Sequence, residues 1–224
     1  MKHEHIEHLW RRCLEDLGIS EASRLCQQRN GGVTERRMGQ RTYAFAGRVY
    51  KISLREIEPT GSMPWGDTKR EFELISMCRD LPAIPEAIEF IETNEYQAAV
   101  YRWVDAVSMI DPSIGIWKSC IATARLAPTL LRLSRRGIAH NDVMPNNVLI
   151  SPRGQIYLID FDRATVCSRT EAIVRNFLKY REQCDPVLFF GSLAKLVRVQ
   201  LGARMPDSMR RIYQYATRGC RRRH

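Results

Sequence analysis

Several features that would narrow the function are missing from this 224-residue chain. Its seven cysteines stand singly at positions 13, 26, 78, 120, 167, 184 and 220, with no C-x-x-C pair. They read as reduced thiols and not as a disulfide or zinc framework. No apolar run approaches the roughly 20 residues that a membrane-spanning helix needs. The N-terminal MKHEHIEHLWRR has no apolar signal-peptide core, so a cytoplasmic protein is expected. Aromatic residues make up only 8% and no nucleic-acid-binding motif is visible, so a nucleic-acid partner is not expected. Internal repeats and low-complexity linkers are absent too. His3, His5 and His8 lie near Glu4 and Glu7, but without supporting cysteines this is a solvated helix face.

What is present begins with charge. The formal net charge is +10 with a pI near 9.5, and the chain closes on RGCRRRH. Such a protein favours anionic partners, among them acidic lipid headgroups and phosphorylated glycolipids. With 44% hydrophobic residues, the chain can bury one sizeable domain or two small lobes.

Residues 3–29 carry helical spacing at Ile6, Leu9, Trp10, Leu14 and Leu17, with Gly18 as a stop and a second short helix expected from Ser20. Beyond Gly31-Gly32 the texture changes. TYAFAGRVYKIS reads as two strands turning at Ala46-Gly47. Residues 55–67 form a Pro- and Gly-containing loop. Asp67 caps an expected helix over 68–79 with Phe72, Ile75 and Cys78 on one face. EAIEFIET and YQAAVYRWV make a hairpin around Thr93-Asn94-Glu95. A long helix is expected over 113–136, bent or restarted near Pro128, and further helices at about 170–182, 186–201 and 206–218. The lobe boundary falls within 102–112.

The most informative stretch is HNDVMPNNVLISPRGQIYLIDFD, residues 140–162. Its two apolar runs form a hairpin, Val148 to Ile150 against Ile156 to Ile159, around Ser151-Pro152-Arg153-Gly154. Turn chemistry accounts for one or two of the polar residues but not for carboxylates at both mouths of the hairpin. The loop before the first strand and the end of the second lie on the same side, so Asp142, Asn147 and Asp160 can converge. Hard oxygen ligands converging in this way suit Mg²⁺ and a phosphate-bearing substrate.

His140-Asn141-Asp142…Asn147 followed by Leu158-Ile159-Asp160-Phe161-Asp162 resembles the catalytic loop and metal motif of the protein-kinase-like superfamily. The resemblance implies an α+β, two-lobed fold: a small antiparallel-sheet N-lobe with one helix and a mostly helical C-lobe. The chain then divides into an N-terminal helical extension (1–30), an N-lobe (31–105) and a C-lobe (106–224). By matching position, Asp142 would accept or orient the acceptor hydroxyl proton, while Asn147 and Asp160 would hold Mg²⁺ against ATP. Lys51 in Arg48-Val49-Tyr50-Lys51-Ile52 would contact the α and β phosphates. Its carboxylate partner would be Glu71, with Glu73 in reserve. The adenine edge would meet the backbone near Arg102, Trp103 and Val104. No full G-x-G-x-x-G exists; Gly39 is the best single match for the phosphate loop, and amides at 39–42 are the candidates to cradle phosphate. Asn146 is read as a turn residue, and His140 as a hydrogen-bonding support and not a base.

Departures from the protein kinases narrow the expectation. Asn141 stands where regulated protein kinases have Arg, Asp162 replaces the Gly of D-F-G, no A-P-E follows, and the chain after Asp162 is short for a peptide-docking lobe. IDFDRA with HNDVMPNN is most similar to bacterial Kdo and heptose kinases of the lipopolysaccharide core; aminoglycoside phosphotransferases share a similar loop. The expected activity is ATP- and Mg²⁺-dependent phosphate transfer to a sugar hydroxyl of an anionic glycolipid, with peripheral contact at the inner membrane surface. The alternatives are a compact Ser/Thr protein kinase and a nucleotide-binding pseudokinase.

Overall fold

The computed structural model of the chain describes residues 3–25, 39–55, 67–109, 111 and 113–177. Gly31-Gly32 and the helices expected at 186–201 and 206–218 lie outside these residues. The fold is α+β and forms two compact units, 1–79 with 85–104, and 80–84 with 105–224.

The first unit is an antiparallel five-stranded sheet in the order β1-β2-β3-β5-β4, formed by β1 (Ser23–Arg24), β2 (Gln40–Phe45), β3 (Arg48–Leu54), β4 (Ala87–Glu92) and β5 (Tyr96–Arg102). Helix α1 (His3–Asp16) and helix α2 (Thr68–Ser76) complete it. The β2–β3 turn fits its residues: Ala46 and Gly47 both take left-handed φ, 48° and 74°, which a two-residue hairpin of this twist requires.

The N-terminal helix is part of this unit's core. Ile6, Leu9, Trp10 and Cys13 of α1 are buried with Tyr43, Tyr50, Ile52 and Val100 of the sheet. Burial of Cys13, reinforced by the charges of Asp16 and Glu95, pushes its thiol up to about 12. Polar contacts fix the helix at its rim: Glu7 pairs with Arg41, whose guanidinium lies 4.7 Å from the Trp10 ring centroid, and the Tyr96 hydroxyl donates to Asp16 at 2.5 Å. Gly18 stops the helix at φ 65°. The second helix expected from Ser20 does not form. Its residues make a turn and the edge strand β1, which pairs with Tyr43 and Ala44 because the sheet has a free edge to offer there.

In α2, the Asp67 side chain caps the helix by accepting from the Arg70 amide at 3.1 Å. The buried face is Thr68, Glu71, Leu74 and Ile75; of the expected Phe72, Ile75 and Cys78, Ile75 is buried on it and Cys78 is buried just past the helix end, while Phe72 is half-buried. Phe72 instead sits at the helix flank, 5.5 Å from the Phe90 ring and 6.2 Å from Tyr101.

The second unit is built on α3 (Ile116–Arg135), which runs through Pro128 as one element. It carries a three-stranded sheet, β6 (Val107–Ser108), β8 (Val148–Ile150) and β9 (Ile156–Leu158), and a two-stranded ladder, β7 (Ile138–Ala139) with β10 (Thr165–Val166). The β8–β9 pairing matches the expected hairpin. Helix α4 (Arg169–Phe177) lies against α3. The short segment 80–84 belongs here because the Leu158 amide donates to the Ala83 carbonyl (2.8 Å) and Arg136 pairs with Asp80 at 2.5 Å.

Candidate active site

Two groups of functional side chains emerge, one in each unit. In the first, Lys51 stands in the middle of β3, between Thr42 of β2 and Ala99 of β5 in register. Ala99 directly across leaves room for the long lysine stem. Lys51 is buried, and its Nζ lies 2.5 Å from Glu71 Oε2. Glu71 is on the buried face of α2, whereas Glu73 is exposed. The structure therefore pairs Lys51 with Glu71 and leaves the reserve candidate outside.

The expected nucleotide-facing backbone is more restricted. The Arg102 amide donates to the Glu86 carbonyl and the Trp103 amide to the Gly47 carbonyl, each at 2.9 Å. Of the three positions, Val104 is the one whose amide these bonds do not occupy. Gly39 lies at the end of the β1–β2 connection, with its carbonyl taken by the Leu54 amide at 2.8 Å. Residues 40–42 are strand, paired with Ser53, Ile52 and Lys51. They form ladder, not loop, so a phosphate-cradling turn at 40–42 does not exist.

The second group occupies residues 140–163. His140 is fully buried. Its Nδ1 accepts from the Asp142 amide (3.2 Å) and its Nε2 meets the Ile159 carbonyl (3.1 Å), so the ring serves as a neutral strut with the proton on Nε2. Burial pulls its pKa below the ordinary imidazole value, against the opposing pull of Asp142 and Asp160. The ring packs edge-on against Phe161 at 4.4 Å. The His140 amide donates to Asn176 Oδ1, and Asn176 Nδ2 reaches Ser134 Oγ and the Ile138 carbonyl. This buried amide ties α4 and α3 to the start of the loop.

Asn147 lies in a 3-10 turn, Pro145–Asn147. Its Nδ2 donates to the Asp142 carbonyl (2.9 Å) and to Asp142 Oδ2 (3.1 Å). Its Oδ1 accepts from Asn146 Nδ2 (2.9 Å), so Asn146 does more than shape a turn. The Ile159 amide donates to the Asn147 carbonyl (2.9 Å), joining the loop to the end of β9. Asp160 follows in a left-handed conformation, φ 66°, which swings the chain sharply after the strand.

The outcome is a cluster in which carboxylate oxygens of Asp142, Asp160 and Asp162 all lie within 4.8 Å of one another. Asp142 is buried; the other two are half-buried. Like charges this close repel one another unless a cation offsets them. Two members go beyond the residues singled out from sequence. Asp162 stands there only as a replaced glycine, although a third carboxylate two residues from Asp160 is itself a signal. Arg163 Nη1 lies 3.8 Å from Asp142 Oδ1, and nothing in its sequence context announces it. Asn141, also at positive φ (59°), donates to the Arg163 carbonyl and the Thr165 hydroxyl, both at 2.9 Å, and so fixes the backbone that carries Arg163.

Residues 33–171 match the phosphotransferase enzyme family. The chain belongs to that family. It is 29% identical over 150 residues to the 3-deoxy-D-manno-octulosonic acid kinases of two strains of Xylella fastidiosa, covering 66% of this chain and 54% of each relative. It is 31% identical over 115 residues to protein kinase kin1 of Schizosaccharomyces pombe, covering 49% of this chain and 13% of that protein. The chain thus spans about half the length of the octulosonic acid kinases it matches and a small part of kin1. Among solved structures, the kinase PK-1 of Cydia pomonella granulovirus aligns with a TM-score of 0.46 at 13% identity, covering 69% of this chain and 57% of that one.

Proposed function

We propose that this protein transfers the γ-phosphate of ATP to a hydroxyl group, and that the acceptor is a sugar of an anionic glycolipid of the lipopolysaccharide core. The observation that carries the reaction type is the convergence of Asp142, Asp160 and Asp162 within 4.8 Å, with Asn147 bonded to Asp142. Hard oxygen donors at this spacing fit Mg²⁺, which takes one or two carboxylates and completes its shell with phosphate and water. Asp160 and Asp162 would hold it, together with Asn147, whose amide oxygen keeps a second lone pair beyond its bond to Asn146. When bound, the ion neutralises charge on the triphosphate.

The remaining work falls to the chain's own residues. Asn147 holds Asp142 Oδ2, so the carboxylate presents Oδ1 to the acceptor hydroxyl and takes or orients its proton there. Arg163, 3.8 Å from that oxygen, offsets the crowd of carboxylates and stands where an acidic group on the acceptor would arrive. Lys51, held by Glu71, binds the α and β phosphates. Val104 offers the backbone contact to adenine. The glycolipid acceptor is supported by the similarity to the octulosonic acid kinases and by the net charge of +10. A protein acceptor is the second reading, favoured by the match to kin1.

The test is transfer of label from γ-radiolabelled ATP with Mg²⁺ to dephosphorylated lipopolysaccharide core, to a generic protein substrate, and with no acceptor. We expect label in the glycolipid, reduced by about two to four orders of magnitude in Asp142→Asn. Label in protein alone would replace the acceptor. Nucleotide-dependent thermal stabilisation without any transfer would make the chain a binding module and overturn the reading.

A further inference from the structure

Helix α3 supplies the core of the second unit with one face, through Ala122, Leu126, Leu130 and Leu133. Its other face is unusual for a helix of this kind. Trp117 is 79% exposed, Ile121 51% and Leu131 38%. The 20 residues of α3 include Lys118, Arg125, Arg132 and Arg135 and no acidic residue. All four cations are exposed. At 1.5 Å per residue, the stripe from Trp117 to Arg135 is about 27 Å long. Trp117, Ile121 and Arg125 succeed one another at i, i+4 and i+8, so large apolar and cationic groups share one line.

Beside the first half of this stripe, a cavity of about 440 Å³ opens between α3 and the β8–β9 turn. Lys118, Ile121 and Arg125 line it from the helix, and Ile150 and Pro152 from the hairpin. Arg125 is fixed there by a hydrogen bond to the Gly154 carbonyl at 3.2 Å. Asp105 is the carboxylate in the lining.

We infer that the exposed face of α3 docks on an anionic membrane surface. The physical case is charge complementarity joined to amphipathicity. A helix face with exposed Trp, Ile and Leu among cations of one sign matches the bilayer interface, where aromatic rings sit at headgroup depth and basic side chains meet lipid phosphates. A folded acidic partner would meet a convex row with single-sign charge but with its largest apolar group, Trp117, standing out into solvent. A fluid interface accommodates such a protruding ring without a preformed pocket. The cavity gives one headgroup phosphate a place beside Lys118 and Arg125. No helix among the described residues is long and apolar enough to cross a membrane, and a helix face of this kind lies on the interface instead of spanning it. The inference stands independently of the phosphotransfer reading, because none of these side chains belongs to the residue 140–163 cluster or to the Lys51–Glu71 pair.

The experiment is co-sedimentation of the full chain with vesicles of phosphatidylcholine alone and of phosphatidylcholine with one-third phosphatidylglycerol, over a salt series. The intact protein is expected to bind the anionic vesicles, to release as salt rises, and to ignore the zwitterionic ones. Each cation removed should lower partition about fivefold, so Lys118→Gln with Arg132→Gln should lose about twenty-fold or more. Trp117→Ala should weaken binding further. A blue shift of tryptophan emission on vesicle addition should disappear in Trp117→Phe. Circular dichroism confirms that the variants, all at exposed positions, remain folded. No binding to anionic vesicles at low salt would overturn the inference. So would binding that these substitutions leave unchanged, which would move the contact to another basic segment of the chain.

Discussion

The two charged centres solve opposite problems. Lys51 and Glu71 are one cation and one anion, both buried, 2.5 Å apart. Their charges cancel, and each holds the other in place. At residues 140–163 three carboxylates converge, and Arg163 is a cation the structure brings to 3.8 Å from one of them. Neutral groups do the holding there: the His140 ring, and the amides of Asn141, Asn146, Asn147 and Asn176. The abundance of Asn around this loop follows from that need. An amide donates and accepts without adding charge, so it can position carboxylates while leaving their negative field intact for a cation. One centre balances its own charges; the other gathers like charges, which the proposed Mg²⁺ would offset.

Removing one partner from the balanced centre should have the largest effect. Lys51→Met leaves Glu71 buried without its cation, and breaking such a pair costs about 3–5 kcal/mol. Phosphate transfer should vanish as well. The double variant Lys51→Met/Glu71→Leu should recover most of the melting temperature and none of the activity. If the double variant melts no higher than the single one, the pair is not the source of the loss.

A smaller but still large effect is expected just before the second centre. Gly137 sits at φ 71°, and a Cβ there would collide with the Cys167 carbonyl oxygen. The Cys167 amide also donates to the Gly137 carbonyl at 2.8 Å, so the two backbones cannot part without losing that bond. Gly137→Ala should cost about 2–3 kcal/mol in chemical denaturation. Because β7, the Asp142 loop and β10 are joined here, activity should fall with stability. An unchanged unfolding midpoint would show that the contact relaxes freely.

Much of this was legible in the sequence, and the failures have physical causes. All three hairpins, the helix carrying Glu71 and the convergence of Asn147 and Asp160 on Asp142 follow from local signals: turn residues, an Asp cap, and polar groups at both mouths of one hairpin. The role of α1 did not, because amphipathic spacing names the apolar face but not what it will cover. Ser23 and Arg24 gave no strand signal, since a two-residue edge strand exists only by pairing with β2. At α2 the expected Ile75 and Cys78 are buried, but Glu71, a charged residue, is buried beside them; hydrophobic periodicity cannot see a carboxylate buried by a lysine from another strand. Arg163 was invisible for a similar reason. Its importance comes from Asn141, far back in the chain, holding its backbone beside Asp142.

The subtlest way to sharpen the contrast is to remove one carboxylate from the like-charged centre and watch the sign of the result. Asp162 lies within 4.8 Å of both Asp142 and Asp160, so without a cation it adds repulsion. In chelator, Asp162→Asn should therefore be more stable than the parent protein by on the order of 1 kcal/mol, a rise of about 2–4 °C in melting temperature. In saturating Mg²⁺ the order should reverse. The parent gains in proportion to the logarithm of metal over its dissociation constant, about 2.7 kcal/mol at a hundredfold excess, and the variant gains less because a ligand is missing. The control is Glu73→Gln on the exposed side of α2, which removes a carboxylate away from the cluster and should shift neither melting curve. A destabilised Asp162→Asn in chelator would mean that this carboxylate acts as a structural acceptor and not as a waiting ligand. An unchanged response to Mg²⁺ would leave the ion to Asp160 and Asn147, and would return Asp162 to the role of a substituted glycine.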